Sequence, residues 1–145
     1  MIKNLKDYFL PNQEYYLAKI FYQRIDTDTK EEEMTLNCTD NIKVDVDEKT
    51  EVVRVTAERI LRFEPDYLFE LTVSFGVILQ FDSDKKGEYD WHDINLAEEF
   101  TANGEFALEN LMSRISLQIA QITSSYGQAP LIMPSGIVKN SISGE

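Results

Sequence analysis

The sequence contains a single cysteine, Cys38, and a single histidine, His92. One thiol excludes an internal disulfide framework and a cysteine-based zinc site, and it fits a reducing compartment. One imidazole would have to serve any Ser-His-Asp or Cys-His arrangement, and no nucleophile elbow surrounds Cys38 or any serine. As a metal ligand, His92 would recruit Asp90 and Asp93 within Tyr89-Asp90-Trp91-His92-Asp93. That spacing matches no helical or turn motif, and a lone histidine among acids is ordinarily a solvated loop residue. Glycine numbers six and proline four, and neither Gly-x-Gly nor Gly-Lys-Ser occurs, so no phosphate-cradling loop is present. Basic residues are scarce, 14 against 26 acidic ones, giving 14 − 26 = −12. That balance argues against direct binding of nucleic acid or an anionic membrane, both of which need a basic face. It favours partners that carry positive charge. No run approaches the roughly 18 apolar residues of a membrane span, and Met1 to Tyr8 lacks a signal-peptide core. These absences predict a cytoplasmic soluble protein that is not an enzyme and has no cofactor and no metal.

What the chain does have is apolar and aromatic material. Its 145 residues are 43% apolar and include seven Tyr, eight Phe and one Trp. This is enough for the core of one domain and too much for a disordered chain. Met1 to Glu14 ends near a breaker, Pro11-Asn12, and reads as an arm or short helix. From Tyr15 to Ile25 the run reads as a strand with Tyr15, Leu17, Phe21 and Ile25 on one face and Tyr16, Ala18, Ile20 and Tyr22 on the other. Both faces are apolar, which predicts that a second surface covers this strand. Asp26 to Glu33 is an acidic turn region. Met34 to Val46 alternates as a half-buried strand, with a break at Asp40-Asn41. Asp47 to Thr50 reads as a hairpin turn, Glu51 to Phe63 as the next strand, and Glu64-Pro65-Asp66 as a turn. Tyr67 to Phe81 is the most apolar strand. Four strands with short turns predict an antiparallel meander.

Asp82 to Gly104 is polar and acidic with four apolar anchors, Trp91, Ile94, Leu96 and Phe100, and reads as a long crossover. Asn103 is placed to cap a helix in which Leu108, Leu111, Met112, Ile115, Ile119 and Ile122 recur at three- and four-residue steps. Gly127 supplies its stop. The predicted class is α+β, a four-stranded antiparallel sheet with a long crossover and one main amphipathic helix packed on one face. It forms a single domain over 1–145: an arm over 1–14, the sheet over 15–81, the crossover over 82–104, the helix over 105–126 and an extension over 127–145. The uncovered sheet face is either polar or covered by a partner, and the two-sided apolar strands favour the partner.

The segment Tyr126-Gly127-Gln128-Ala129-Pro130-Leu131-Ile132-Met133-Pro134, after an amphipathic helix, resembles the close of the first long helix in the SecB family of protein-export chaperones. Val52 to Ala57 followed by Tyr67-Leu68-Phe69-Glu70-Leu71 resembles that family's third and fourth strands. Strand order, crossover and helix agree from about Tyr15 to Ile137. The resemblance implies a homo-oligomer, dimer or tetramer. Such an oligomer holds unfolded or nascent polypeptides in apolar grooves without ATP, for protein transport, with the SecA translocase motor as a further partner. It implies client contact by the groove wall at Trp91, Ile94, Leu96 and Phe100, for which packing under the loop is the alternative, and by Leu131, Ile132 and Met133. It also implies partner docking at Leu68 and Glu70. The helix side bearing Leu117 and Ala120 is placed for a subunit interface. Two departures stand out. Arg24 aligns with an acidic residue that serves motor docking in the family, which weighs against the motor. The family's second helix and acidic tail have no counterpart after Pro134. Some relatives guard the antitoxin of a toxin–antitoxin pair, so the alternative is an oligomeric adaptor on the same fold that binds one specific partner.

The charge has a layout. All acids except Glu145 lie at or before Glu109, and from Asn110 onward the only bases are Arg114 and Lys139. The helix is therefore nearly uncharged, as suits burial at an interface, and the acidic loops suit the rim of a groove.

Overall fold

The structure, a computed structural model, describes residues 2–26, 35–125, 130–134 and 136–137. The acidic run Glu31-Glu32-Glu33, the stop at Gly127 and Tyr126 to Ala129 of the closing motif lie outside these residues. Four strands, β1 (Phe9–Arg24), β2 (Thr35–Asp47), β3 (Val52–Glu64) and β4 (Phe69–Phe81), precede two helices, α1 (Leu96–Asn103) and α2 (Glu105–Ser124). All pairings are antiparallel, and the order is β1-β4-β3-β2. The expected meander is thus correct for β2-β3-β4 only. β1 pairs with β4 at the far side, the order of a Greek key read from the C-terminal end.

The expected N-terminal arm is part of the fold. Leu5–Tyr8 forms a single 3-10 turn whose Leu5 and Tyr8 are buried, and Ile2 N donates to both carboxylate oxygens of Glu99 in α1 at 3.1 Å. β1 begins six residues earlier than Tyr15 because Pro11 does not break it. Proline lacks only a ladder donor, and an edge strand tolerates that loss; the register shifts there, between Phe9 and Gln13. A second shift between Leu17 and Lys19 makes Ala18 a bulge. The bulge exchanges the faces of the strand. Tyr15 and Leu17 lie opposite Val77 and Phe75, and it is Ile20 and Tyr22, not Phe21, that lie opposite Val73 and Leu71.

β2 runs unbroken through Asp40-Asn41. Asp40 keeps the inward phase of Leu36, Cys38, Ile42 and Val44, and it is wholly buried. It can be inside because Arg59, also wholly buried on β3 between Ala57 and Leu61, neutralises it. The inward layer of Ile42, Val44, Val53, Val55, Ala57, Leu61, Leu71, Val73, Val77 and Leu79 packs under Leu108, Leu111, Met112, Ile115 and Ile119 of α2. The opposite face is polar over β2 and β3: Asn37, Thr39, Asn41, Lys43 and Asp45 lie opposite Arg62, Ile60, Glu58, Thr56 and Arg54. The expectation of an apolar uncovered face therefore applies to β1, where Tyr16 and Phe21 project on that side, and not to the whole sheet.

The crossover contains a helix that its composition concealed. Asn95 caps α1, its side chain accepting from Glu98 N at 3.3 Å. Asn103 consequently ends α1 instead of capping α2, and Gly104 joins the two. A Cβ on Gly104 would collide with the main chain of Phe100, while Gly104 N donates to Phe100 O at 2.8 Å.

Candidate functional site

The crossover anchors are interior. Trp91, Leu96 and Phe100 are buried and Ile94 is half-buried. Trp91 donates from Nε1 to Lys86 O at 2.8 Å. Its ring sits among Tyr8, Phe9, Phe81 and Tyr89, with centroids 5.0 to 6.3 Å away, and Phe100 and Phe106 extend the cluster. Glu88, hydrogen-bonded to the Tyr8 hydroxyl, acts with burial to hold that phenol above its usual range. These rings fasten the crossover to β1 and β4; Trp91, Leu96 and Phe100 present almost no surface to a client in this arrangement.

Exposed apolar surface gathers instead on the second half of β1. Leu17, Ile20, Phe21, Tyr22 and the neighbouring Leu68 are 39% to 49% exposed. The path of α2 explains this. Gln13 donates to Phe106 O near the start of α2, and the Arg114 guanidinium lies over the Tyr15 ring. By Ser116 the helix reaches the β3 side, where it shares an acceptor with Arg59. Among the described residues, the inward side of β1 beyond Leu17 is left uncovered. Tyr22 stacks on Phe69, which meets Phe63 edge-on, and Phe63 meets Tyr67 in the same way. An aromatic row therefore crosses this end of the sheet. Among the described residues β1 is also an edge strand, with β4 as its one partner within the sheet. Sequence reasoning recognised the two-sided apolar strand but did not rank it as the binding surface, because burial under another layer and exposure read alike in a pattern.

Leu68 sits in the turn before β4 with a positive φ of 53°. Glu70 is half-buried on the polar face, 3.9 Å from Arg62. Arg24 pairs with Asp26 at 2.9 Å and lies opposite Phe69 in the register. On α2, Leu117 is 61% exposed and Ala120 is half-covered. The C-terminal segment lies along α2, with Leu131 and Met133 packed against the core and Ile132 74% exposed. Its Leu131 N donates to Thr123 Oγ1 at 2.8 Å, and its Pro134 O accepts from Arg59 Nη1 at 2.6 Å and from Ser116 Oγ at 3.3 Å. His92 is a loop residue whose Nε2 contacts Glu48 of the β2–β3 hairpin at 2.7 Å. No cluster of three or more metal-ligating side chains occurs among the described residues. No helix among them is long and apolar enough to cross a membrane.

Among solved structures, the Mycobacterium tuberculosis Rv1957 SecB-like chaperone, in complex with a ChAD peptide from the Rv1956 HigA1 antitoxin, matches at a TM-score of 0.61. It is 18% identical over 83% of this chain and 86% of that one. A protein of unknown function from Streptococcus agalactiae matches at a TM-score of 0.39 and 11% identity, over 85% of this chain and 95% of that one. No protein-family model matches the sequence, and no curated protein matches it. The chain is an α+β protein in which one antiparallel sheet carries its helices on a single face. More narrowly, its fold is SecB-like.

Proposed function

We propose that the protein is an ATP-independent holding chaperone that keeps non-native polypeptides from aggregating. The observation that carries this reading is the run of exposed apolar side chains on the edge strand β1. Apolar side chains that a monomer leaves this exposed mark a surface for another polypeptide, and covering them gains roughly 25 cal/mol per Å². The fold supports the reading, and so does the antitoxin peptide carried by the mycobacterial chaperone. The working particle is a homo-oligomer in the cytoplasm, with the α2 side bearing Leu117 and Ala120 at a subunit interface. The half-buried Ile94 adds to the client surface, and Leu131, Ile132 and Met133 bear on it through the stretch beside α2 that they occupy.

Transfer of clients to the SecA motor would use Leu68 and Glu70. A second reading, an adaptor for one dedicated partner such as an antitoxin, is favoured by two observations: Arg24, a base placed beside that docking site, and the single antitoxin peptide in the mycobacterial complex. The test is light scattering of a chemically denatured substrate on dilution, with and without the protein, followed by sizing chromatography. Suppression without ATP and co-elution are expected, and both weaken in Phe21→Asn and Ile20→Asn. A protein that neither suppresses aggregation nor co-elutes overturns the holding reading. A pull-down that returns one folded partner in fixed stoichiometry, and no unfolded clients, selects the adaptor.

A further inference from the structure

Arg59 and Asp40 are both wholly buried. Arg59 Nε donates to Asp40 Oδ1 and Nη2 to Oδ2, each at 2.7 Å, so the charge is neutralised inside the sheet layer. The remaining reach of the guanidinium goes to main chain: Nη1 to Pro134 O at 2.6 Å and Nη2 to Gly136 O at 2.8 Å. A buried ion pair is a poor source of stability, and apolar residues of similar volume serve as well or better. Apolar residues cannot hold a backbone, however. Carbonyls two residues apart point the same way in an extended chain, every polypeptide offers them, and they carry no sequence information.

The segment seated there behaves as an occupant. Leu131 and Met133 turn inward while Ile132 between them turns out, the alternation of an extended chain. Thr123, Ser116 and Arg59 side chains make the hydrogen bonds that hold it, and no strand ladder does so among the described residues. Gly136 and Ile137 themselves line an open pocket of ≈ 410 Å³, together with Thr101, Leu108, Met112, Glu105 and Glu109.

We propose that the Asp40–Arg59 pair is a backbone clamp flooring a groove beside α2, built for an extended polypeptide segment with alternating apolar side chains and a basic flank. Residues 131–134, 136 and 137 are its resident occupant, displaced when such a segment enters. This deepens the holding reading and rests on it for the identity of the incoming chain.

The probe is a fluorescein-labelled peptide with the sequence of residues 130–137, titrated against the full chain and against its Leu131→Ser/Met133→Ser variant. Weakening the resident occupant removes a competitor, so the variant is expected to bind the peptide about tenfold more tightly than the parent. A peptide with serine at both inward positions is expected to bind neither. Equal affinity for the two proteins, or no binding to either, overturns the proposal. No unfolded client enters this titration, so its result is independent of the holding reading. In the parent, hydrogen exchange at the Leu131 amide is expected to accelerate when a denatured client is bound. Unchanged protection with the client demonstrably co-eluting overturns displacement and leaves holding intact. Absence of client binding overturns holding alone, and the peptide titration then decides the clamp.

Discussion

Two aspartates on β2 show how environment decides what a carboxylate contributes. Asp40 is inside, chelated by Arg59 at 2.7 Å. Truncating it strands a buried guanidinium, so Asp40→Ala is expected to cost about 3–5 kcal/mol, read as a lowered urea midpoint with an unchanged slope. A double replacement, Asp40→Leu with Arg59→Met, removes both charges and is expected to recover part of that loss, the remainder being the Arg59 bonds to Pro134 O and Gly136 O. Asp47 is outside, at the end of β2, and its Oδ1 accepts from Lys49 N at 3.0 Å and Thr50 N at 3.4 Å. Bonds from Thr50, side chain first and then backbone, hold its carboxyl below the ordinary value of 3.8. A carboxyl depressed by folding stabilises the native state above its unfolded pKa, and that contribution disappears as the pH falls through the folded value. Asp47→Ala is therefore expected to lower the thermal midpoint slightly at pH 7. The gap from the parent should narrow below about pH 4 as the unfolded carboxyl takes up its proton. A gap that is constant with pH would assign the effect to turn geometry and not to charge.

At the scale of elements, the sequence spoke clearly wherever one face was apolar and the other polar. β2, β3 and the inward face of α2 follow their periodicities, as does the four-residue hairpin loop after Asp47. Three features were hidden for physical reasons. α1 lies in an acidic stretch, and its start is written only in Asn95-Leu96-Ala97-Glu98, a capping pattern that a search for apolar periodicity passes over. The bulge at Ala18 leaves no mark, because every residue around it is apolar or aromatic enough to suit either face. The clamp was legible in principle: Asp40 and Arg59 each occupy an apolar phase between buried neighbours, and two opposite charges in such phases on adjacent strands point to each other. The breaker propensity of Asp40-Asn41 outweighed that signal in the pattern, whereas tertiary pairing outweighs it in the fold. Of the expected client residues, Trp91, Leu96 and Phe100 became core because an acidic segment needs its few apolar groups to tie it down. α2 leaves one element-scale prediction. Leu117 projects 61% exposed from a helix with few charges, so Leu117→Glu is expected to change monomer stability by no more than about 0.5 kcal/mol. In multi-angle light scattering it should shift the mass toward the monomer. An oligomer mass that survives the substitution would place the interface elsewhere, with the open edge of β1 the next surface to test.

For the whole molecule, the net charge of −12 divides the surface by task. The apolar strip lies on β1, which carries one acid, Glu14, against two bases, Lys19 and Arg24, with Asp26 just past its end. The hairpin between β2 and β3 and the start of α2 carry Asp47, Glu48, Glu51, Glu105 and Glu109. Such a distribution attracts a basic chain at long range without placing charge in the path of its apolar side chains. Long-range attraction acts on encounter, while short-range apolar contact acts on dissociation. Between about 10 mM and 150 mM salt the screening length falls from roughly 30 Å to roughly 8 Å. The association rate of a denatured basic substrate, followed by stopped-flow fluorescence, is therefore expected to fall across that range while its dissociation rate stays nearly constant. A denatured acidic substrate of similar apolarity should associate faster as salt rises, because the same field repels it. If both substrates associate at rates insensitive to salt, the acidic layer serves solubility alone and selection rests entirely on the apolar surfaces. If instead salt changes dissociation, the carboxylates touch the bound chain, and Glu105 and Glu109 at the edge of the α2 pocket are the first to replace.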